Sequence, residues 1–103
     1  ETKFEKAEIL FKNIIEIDPT HYNAHINIGV IYVKLDKLKD AEEYFLKAIK
    51  LKPEYELAYF NLGTTQDKLG KAKEADTIFD ELRKNYANSQ EAKKVAALKV
   101  VSQ

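Results

Sequence analysis

The sequence predicts an all-α chain, and three observations carry that expectation. Only two prolines and three glycines occur among 103 residues, while the helix formers Ala, Leu, Glu and Lys are abundant. Apolar residues recur at three- and four-residue spacing rather than alternating along the chain. A fixed internal period is present as well. Pro19 and Pro53 stand 53 − 19 = 34 residues apart, and the same step relates Ala7 to Ala41 and Ala75, and Phe11 to Phe45 and Phe79. Repetition at that length means stacked copies of one supersecondary unit.

Six helices follow in order. The first spans residues 2–17, where Ile9, Leu10, Ile14 and Ile17 recur at helical spacing, and it ends at Asp18-Pro19 because a residue before proline leaves the helical region. The second, 21–35, carries Ala24, Ile28, Gly29 and Tyr32 and stops at Asp36. The third, 38–51, places Leu38, Ala41, Phe45, Ala48 and Ile49 on one face and is closed by Lys52-Pro53. The fourth, 55–69, repeats the second with Ala58, Leu62 and Gly63 and ends at Gly70. The fifth, 72–86, repeats the third with Ala75 and Phe79, and the turn-forming stretch from Asn85 to Ser89 follows it. The sixth, 89–101, starts at Ser89 as N-cap and carries Val95, Leu98 and Val101 beside Ala92, Ala96 and Val100. Short connections make consecutive helices antiparallel, and each pair must stack on its copy to bury its apolar face.

Gly29 and Gly63 sit inside helices, where glycine costs about 1 kcal/mol relative to alanine. Their recurrence predicts that a neighbouring helix comes too close for a side chain. Phe45, Phe79 and Phe11 are the expected fillers of the space, with Ala41, Ala75 and Ala7 beside them. All are core positions.

Composition removes several function classes. Lys+Arg and Asp+Glu both number 17, so there is no basic excess of the kind that grips phosphate backbones, and nucleic acid is not an expected partner. Cysteine is absent, which removes disulfides, thiolate metal sites and thiol nucleophiles together. Lys or Glu interrupts every hydrophobic stretch, so membrane insertion is not expected. The first residue is Glu1 rather than Met, and localisation is left unassigned.

The periodic residues resemble the tetratricopeptide repeat, in which a large residue, Leu-Gly and Tyr mark the first helix and Ala, an aromatic, Ala and Pro mark the second. Counted from Tyr22, the marks fall on His25, Ile28-Gly29, Tyr32, Ala41, Phe45, Ala48 and Pro53. The next copy, from Glu56, supplies Tyr59, Leu62-Gly63, Ala75 and Phe79, but has Gln66 for Tyr, Leu82 for Ala and Ala87 for Pro. The resemblance divides a single 1–103 domain into a half-repeat 1–21, repeats 22–55 and 56–89, and a terminal or capping helix 90–103. It implies a right-handed α-solenoid of antiparallel helix pairs whose first helices line a concave groove.

That resemblance also implies the function: a non-catalytic scaffold that binds a peptide or partner protein in the groove. The groove positions are Asn23, Ile26, Asn27, Val30, Val33 and Lys34 in one repeat, and Leu57, Phe60, Asn61, Thr64, Asp67 and Lys68 in the next. The terminal helix adds Glu91, Lys94 and Leu98. Asn27 and Asn61 look like the asparagine ladder of some family members, since a side-chain amide offers a peptide bond both donor and acceptor. Ile26, Leu57 and Phe60 suggest apolar contacts, and Lys34, Lys68 and Lys94 a mild positive line. The dicarboxylate clamp with which related proteins hold an acidic C-terminus is broken, because Ile26 and Val30 stand where it needs Lys and Asn. The alternative function is self-assembly, with apolar surface on the terminal helices forming a homodimer.

Catalytic and metal chemistry lack their residues. His21 and His25 share a helix face at zinc-ligand spacing, but nothing completes a site, and His25 fills a packing position of the repeat. Glu42-Glu43 and Glu54/Glu56 lie opposite apolar faces and are expected to be solvated. Ser89 and Ser102 are the only serines. No enzyme activity, metal or cofactor is expected.

Overall fold

The structure, a computed structural model, describes residues 3–85 and 93–95. Five α-helices follow one another: α1 Lys3–Ile17, α2 Tyr22–Lys34, α3 Leu38–Leu51, α4 Glu56–Lys68 and α5 Ala72–Asn85. Residues 93–95 are helical too and fall within the sixth predicted helix, the rest of which lies outside the described residues, as do Ala87, Ser89, Glu91 and Leu98. No strand occurs among the described residues. The observed boundaries fall within a residue of those expected from Pro and Gly punctuation.

Local chemistry explains the ends. Asp18 accepts from the Thr20 backbone N–H (3.1 Å) and hydroxyl (2.7 Å), folding the turn into α2. His21 then caps α2, its Nδ1 accepting from the Ala24 N–H at 3.1 Å. At the far end of α2, Asp36 adopts a left-handed φ of 60° and Lys37 N–H donates back to the Tyr32 carbonyl (2.7 Å). The same closure recurs at Gly70, φ 80°, with Lys71 N–H on the Gln66 carbonyl (2.8 Å). Both are Schellman-type ends, which satisfy carbonyls the helix leaves unpaired.

Each helix packs on its neighbours in sequence, and α2 also touches α4 directly. Among the described residues, α1, α3 and α5 do not approach one another in this way. The first helices of the pairs therefore line the inner side of the stack, and the second helices splay apart on the outer side. The helices form an α-solenoid.

The glycines fit as the sequence requires. A Cβ placed on Gly29 would lie 2.5 Å from Phe45 Cε1, and one on Gly63 would meet Phe79 Cε1 in the same way. Phe45, Ala41 and Ala48 of α3 are buried with Ile26, Ile28 and Tyr32 of α2 and Ala58 and Leu62 of α4, joining two repeats in one core. Phe79, Ala75 and Leu82 of α5 form a second cluster with Tyr59 and Val95. Leu82, where the family has Ala, is fully enclosed. On α1, by contrast, Phe11 and Ala7 are only half-buried. Phe4, Ile9, Leu10 and Ile17 are exposed there.

Candidate functional site

Asn23, Asn27, Val30 and Lys34 follow one another at four-, three- and four-residue steps, so they form one stripe along α2. Leu57, Asn61, Thr64 and Lys68 form the matching stripe on α4. Asn23, Asn27, Lys34 and Lys68 are exposed, while Val30, Leu57, Asn61 and Thr64 are half-buried. α2 and α4, which carry the two stripes, touch each other. Neither the Asn27 nor the Asn61 side-chain amide makes a hydrogen bond to another described residue. Thr64 Oγ1 donates to the Asn61 carbonyl (3.0 Å), which uses the hydroxyl proton within the helix.

Ile26 does not belong to this surface. It is 2% exposed and forms part of the core shared by α2, α3 and α4, so it supports the stripe from below. Val30 and Val33 also pack partly against that core. Phe60 remains half-exposed, and Lys94 Nζ lies 5.7 Å from its ring centroid. Lys34 is similarly held 5.8 Å from the ring of Phe4, so two of the three lysines sit against aromatic faces, where the ring quadrupole attracts a cation. Asp67 is exposed beside Lys68.

The histidines have structural partners. Besides the His21 cap, His25 Nε2 donates to the Pro19 carbonyl at 2.9 Å, and its ring packs 5.9 Å from that of Tyr44. No cluster of three or more His, Cys, Asp or Glu residues able to hold a metal ion occurs among the described residues. No helix among them is long and apolar enough to cross a membrane.

Glu42 departs from expectation. Its side chain is only 13% exposed, receiving Lys71 Nζ at 2.8 Å and Gln66 Nε2 at 3.3 Å. Glu8, one period earlier, receives the Tyr32 hydroxyl at 2.7 Å and Lys12 Nζ at 3.1 Å. The Tyr32 bond, more than the nearby cations Lys12 and Lys37, holds the Glu8 carboxyl below its ordinary range. Lys71 is raised by its bond to Glu42, and Tyr32 is raised by burial and by the acceptor it serves. These carboxylates fasten one repeat to the next. The period linking Glu8 to Glu42 is visible in the sequence, but the cross-helix partners Tyr32 and Gln66 lie 24 residues away and Lys71 29, and they become neighbours only in the stack.

The geometry and the periodic marks are those of tetratricopeptide repeats, and the family description "Tetratricopeptide repeat" matches residues 22–55 and again 57–89. The chain belongs to the tetratricopeptide repeat (TPR) family. No curated protein matches it. Among solved structures it is similar to the second TPR domain of human RPAP3, determined in complex with the HSP70 peptide SGPTIEEVD, at 26% identity and a TM-score of 0.83 over 92% of this chain and 79% of that one. It is also similar to YrrB, described as a TPR protein with an unusual peptide-binding site: 27% identity, TM-score 0.77, 87% of this chain and 46% of that one. The TPR2B domain of yeast Sti1, in complex with an Hsp70 peptide, superposes with a TM-score of 0.85 at 21% identity, over 92% of this chain and 78% of that one, and shows the shared fold.

Proposed function

We propose that this chain is a non-catalytic interaction module that holds an extended peptide, or an extended segment of a partner protein, along the inner face of α2 and α4. The observation that carries the reading is the pair Asn27 and Asn61, in register on adjacent helices and without intramolecular hydrogen bonds to described residues. Repeats stack at roughly 10 Å and an extended chain advances about 3.3 Å per residue, so each amide meets about every third peptide unit. Leu57 and the half-exposed Phe60 supply apolar contact, and Lys34, Lys68 and Lys94 favour a ligand with some negative charge.

The peptide in the RPAP3 complex argues by analogy for peptide binding by this chain. Its acidic C-terminus is a less suitable ligand here. Ile26 is buried and Val30 is half-buried, so neither position offers the carboxylate a donor.

Fluorescence polarisation against a peptide library that includes SGPTIEEVD tests the reading, with Asn27→Ala/Asn61→Ala as the comparison. Micromolar binding weakened by about 1 kcal/mol per lost amide bond supports it. Equal binding by both proteins overturns it.

The exposed residues of α1 favour a second reading, self-assembly. Leu10 is 63% exposed, whereas its counterpart one period later, Tyr44, packs on His25 and Tyr32 of α2. Light scattering on the same samples distinguishes the readings: a dimer that survives dilution and binds no peptide assigns the chain to assembly.

A further inference from the structure

The stripes on α2 and α4 carry their cations at one edge only. Lys34 and Lys68 stand in the last turns of the two helices, each seven residues after the asparagine of its own stripe. Short turns at 35–37 and 52–55 reverse the chain twice between α2 and α4, so both lysines lie at the same edge. Both are exposed, and neither is in an ion pair with a described residue. Asp67 is adjacent to Lys68 in the chain and so points to a different side of α4. At the opposite edge the stripes hold Asn23 and Leu57, which are uncharged.

The step from one helix to the next constrains the ligand further. Helices in contact, as α2 and α4 are, lie about 8–10 Å apart. A chain that crosses them must present the same groups again after that distance. In a β-strand, units facing one way are about 6.6 or 13 Å apart, so the third unit, which reaches the second asparagine, faces the wrong edge. A polyproline II helix has three residues per turn and returns the same face after about 9.3 Å. Its backbone makes no internal hydrogen bonds, which leaves it free for the amides of Asn27 and Asn61.

Resting on the peptide-binding reading above, we infer that the inner face takes a polyproline II segment with glutamates three residues apart. Each turn of the ligand gives one backbone unit to Asn27 or Asn61 and one carboxylate to Lys34 or Lys68. Two turns of helix, about 10 Å, separate asparagine from lysine, with Val30 or Thr64 between them. The lysine stems lean back toward the helix N-terminus. The carboxylate must cover the remaining distance, which selects glutamate over the shorter aspartate.

The test is fluorescence polarisation of the full chain with a labelled peptide of repeated Glu-Pro-Ala. Comparison peptides of the same length replace glutamate by aspartate or glutamine, or keep the composition and group the glutamates in adjacent pairs. Each should bind about tenfold more weakly. Lys34→Glu/Lys68→Glu, two exposed substitutions whose retained helicity circular dichroism checks, should weaken the Glu-Pro-Ala peptide by at least about tenfold and gain affinity for repeated Lys-Pro-Ala. The inference is overturned if the paired-glutamate peptide binds equally, if Glu-Pro-Ala does not bind, or if the lysine reversal changes neither affinity. In those cases a library peptide weakened by Asn27→Ala/Asn61→Ala leaves the peptide-binding reading standing, whereas equal binding by that variant removes both.

Discussion

The Tyr32 hydroxyl donates to the Glu8 carboxylate across 2.7 Å, joining α2 to α1 over 24 residues of chain. One period later the same geometry links Gln66 to Glu42 over the same separation, with Lys71 in addition. Gln66 replaces the family tyrosine yet keeps a donor at that point, so the interaction survives where the motif does not.

This relationship predicts measurable coupling. Tyr32→Phe is expected to cost about 1 kcal/mol and Glu8→Ala about 1–2 kcal/mol in urea denaturation, because each leaves a partly buried polar partner unsatisfied. The double variant should cost less than the sum of the singles, as residues in direct contact do. Strict additivity would remove the bond from the list of stabilising contacts.

Gly29→Ala should destabilise by about 1–3 kcal/mol, since its new methyl group collides with the Phe45 ring. Combining it with Phe45→Leu should recover part of that loss relative to additivity. Gly70→Ala meets no atom within 4 Å and is strained only by its φ of 80°, so about 1 kcal/mol is expected with no rescue by changes at Phe79.

The three repeated phenylalanines should differ in worth. Phe45 is 1% exposed, and its truncation to alanine should cost about 3–5 kcal/mol. Phe11 is half-buried, and its truncation should cost less than half as much as that of Phe45. Thermal or urea denaturation of the two variants side by side reads the difference directly.

Stability should fall on acidification below about pH 4.5. Glu8 and Asp18 bind protons less readily in the folded chain than their ordinary values of 4.5 and 3.8 dictate, so the unfolded state takes up protons first as pH falls. Their contribution is complete above those values and disappears as pH drops through the lowered folded ones. Lys71 and Lys52 are shifted upward from 10.5, and by the same linkage their contribution is complete below that value and declines as pH rises through the folded ones. Urea midpoints measured across the pH range, with Glu8→Gln flattening the acid limb, check the sign.

The sequence by itself determined the helix boundaries, because Pro19, Pro53, Asp36 and Gly70 act on the chain within a few residues of themselves. It also determined the repeat and much of its core, since Gly29 and Gly63 in helix interiors signal close approach wherever they are found. Only the tertiary structure decided which face each remaining side chain serves. Ile26 occupies a groove position in the repeat and is nevertheless buried, because burial depends on what neighbouring helices present there. Glu42 carries no local sign of burial, and its partners Gln66 and Lys71 reach it only through stacking. Interactions within one turn of helix are written in adjacent letters, whereas those between helices depend on how the pairs stack.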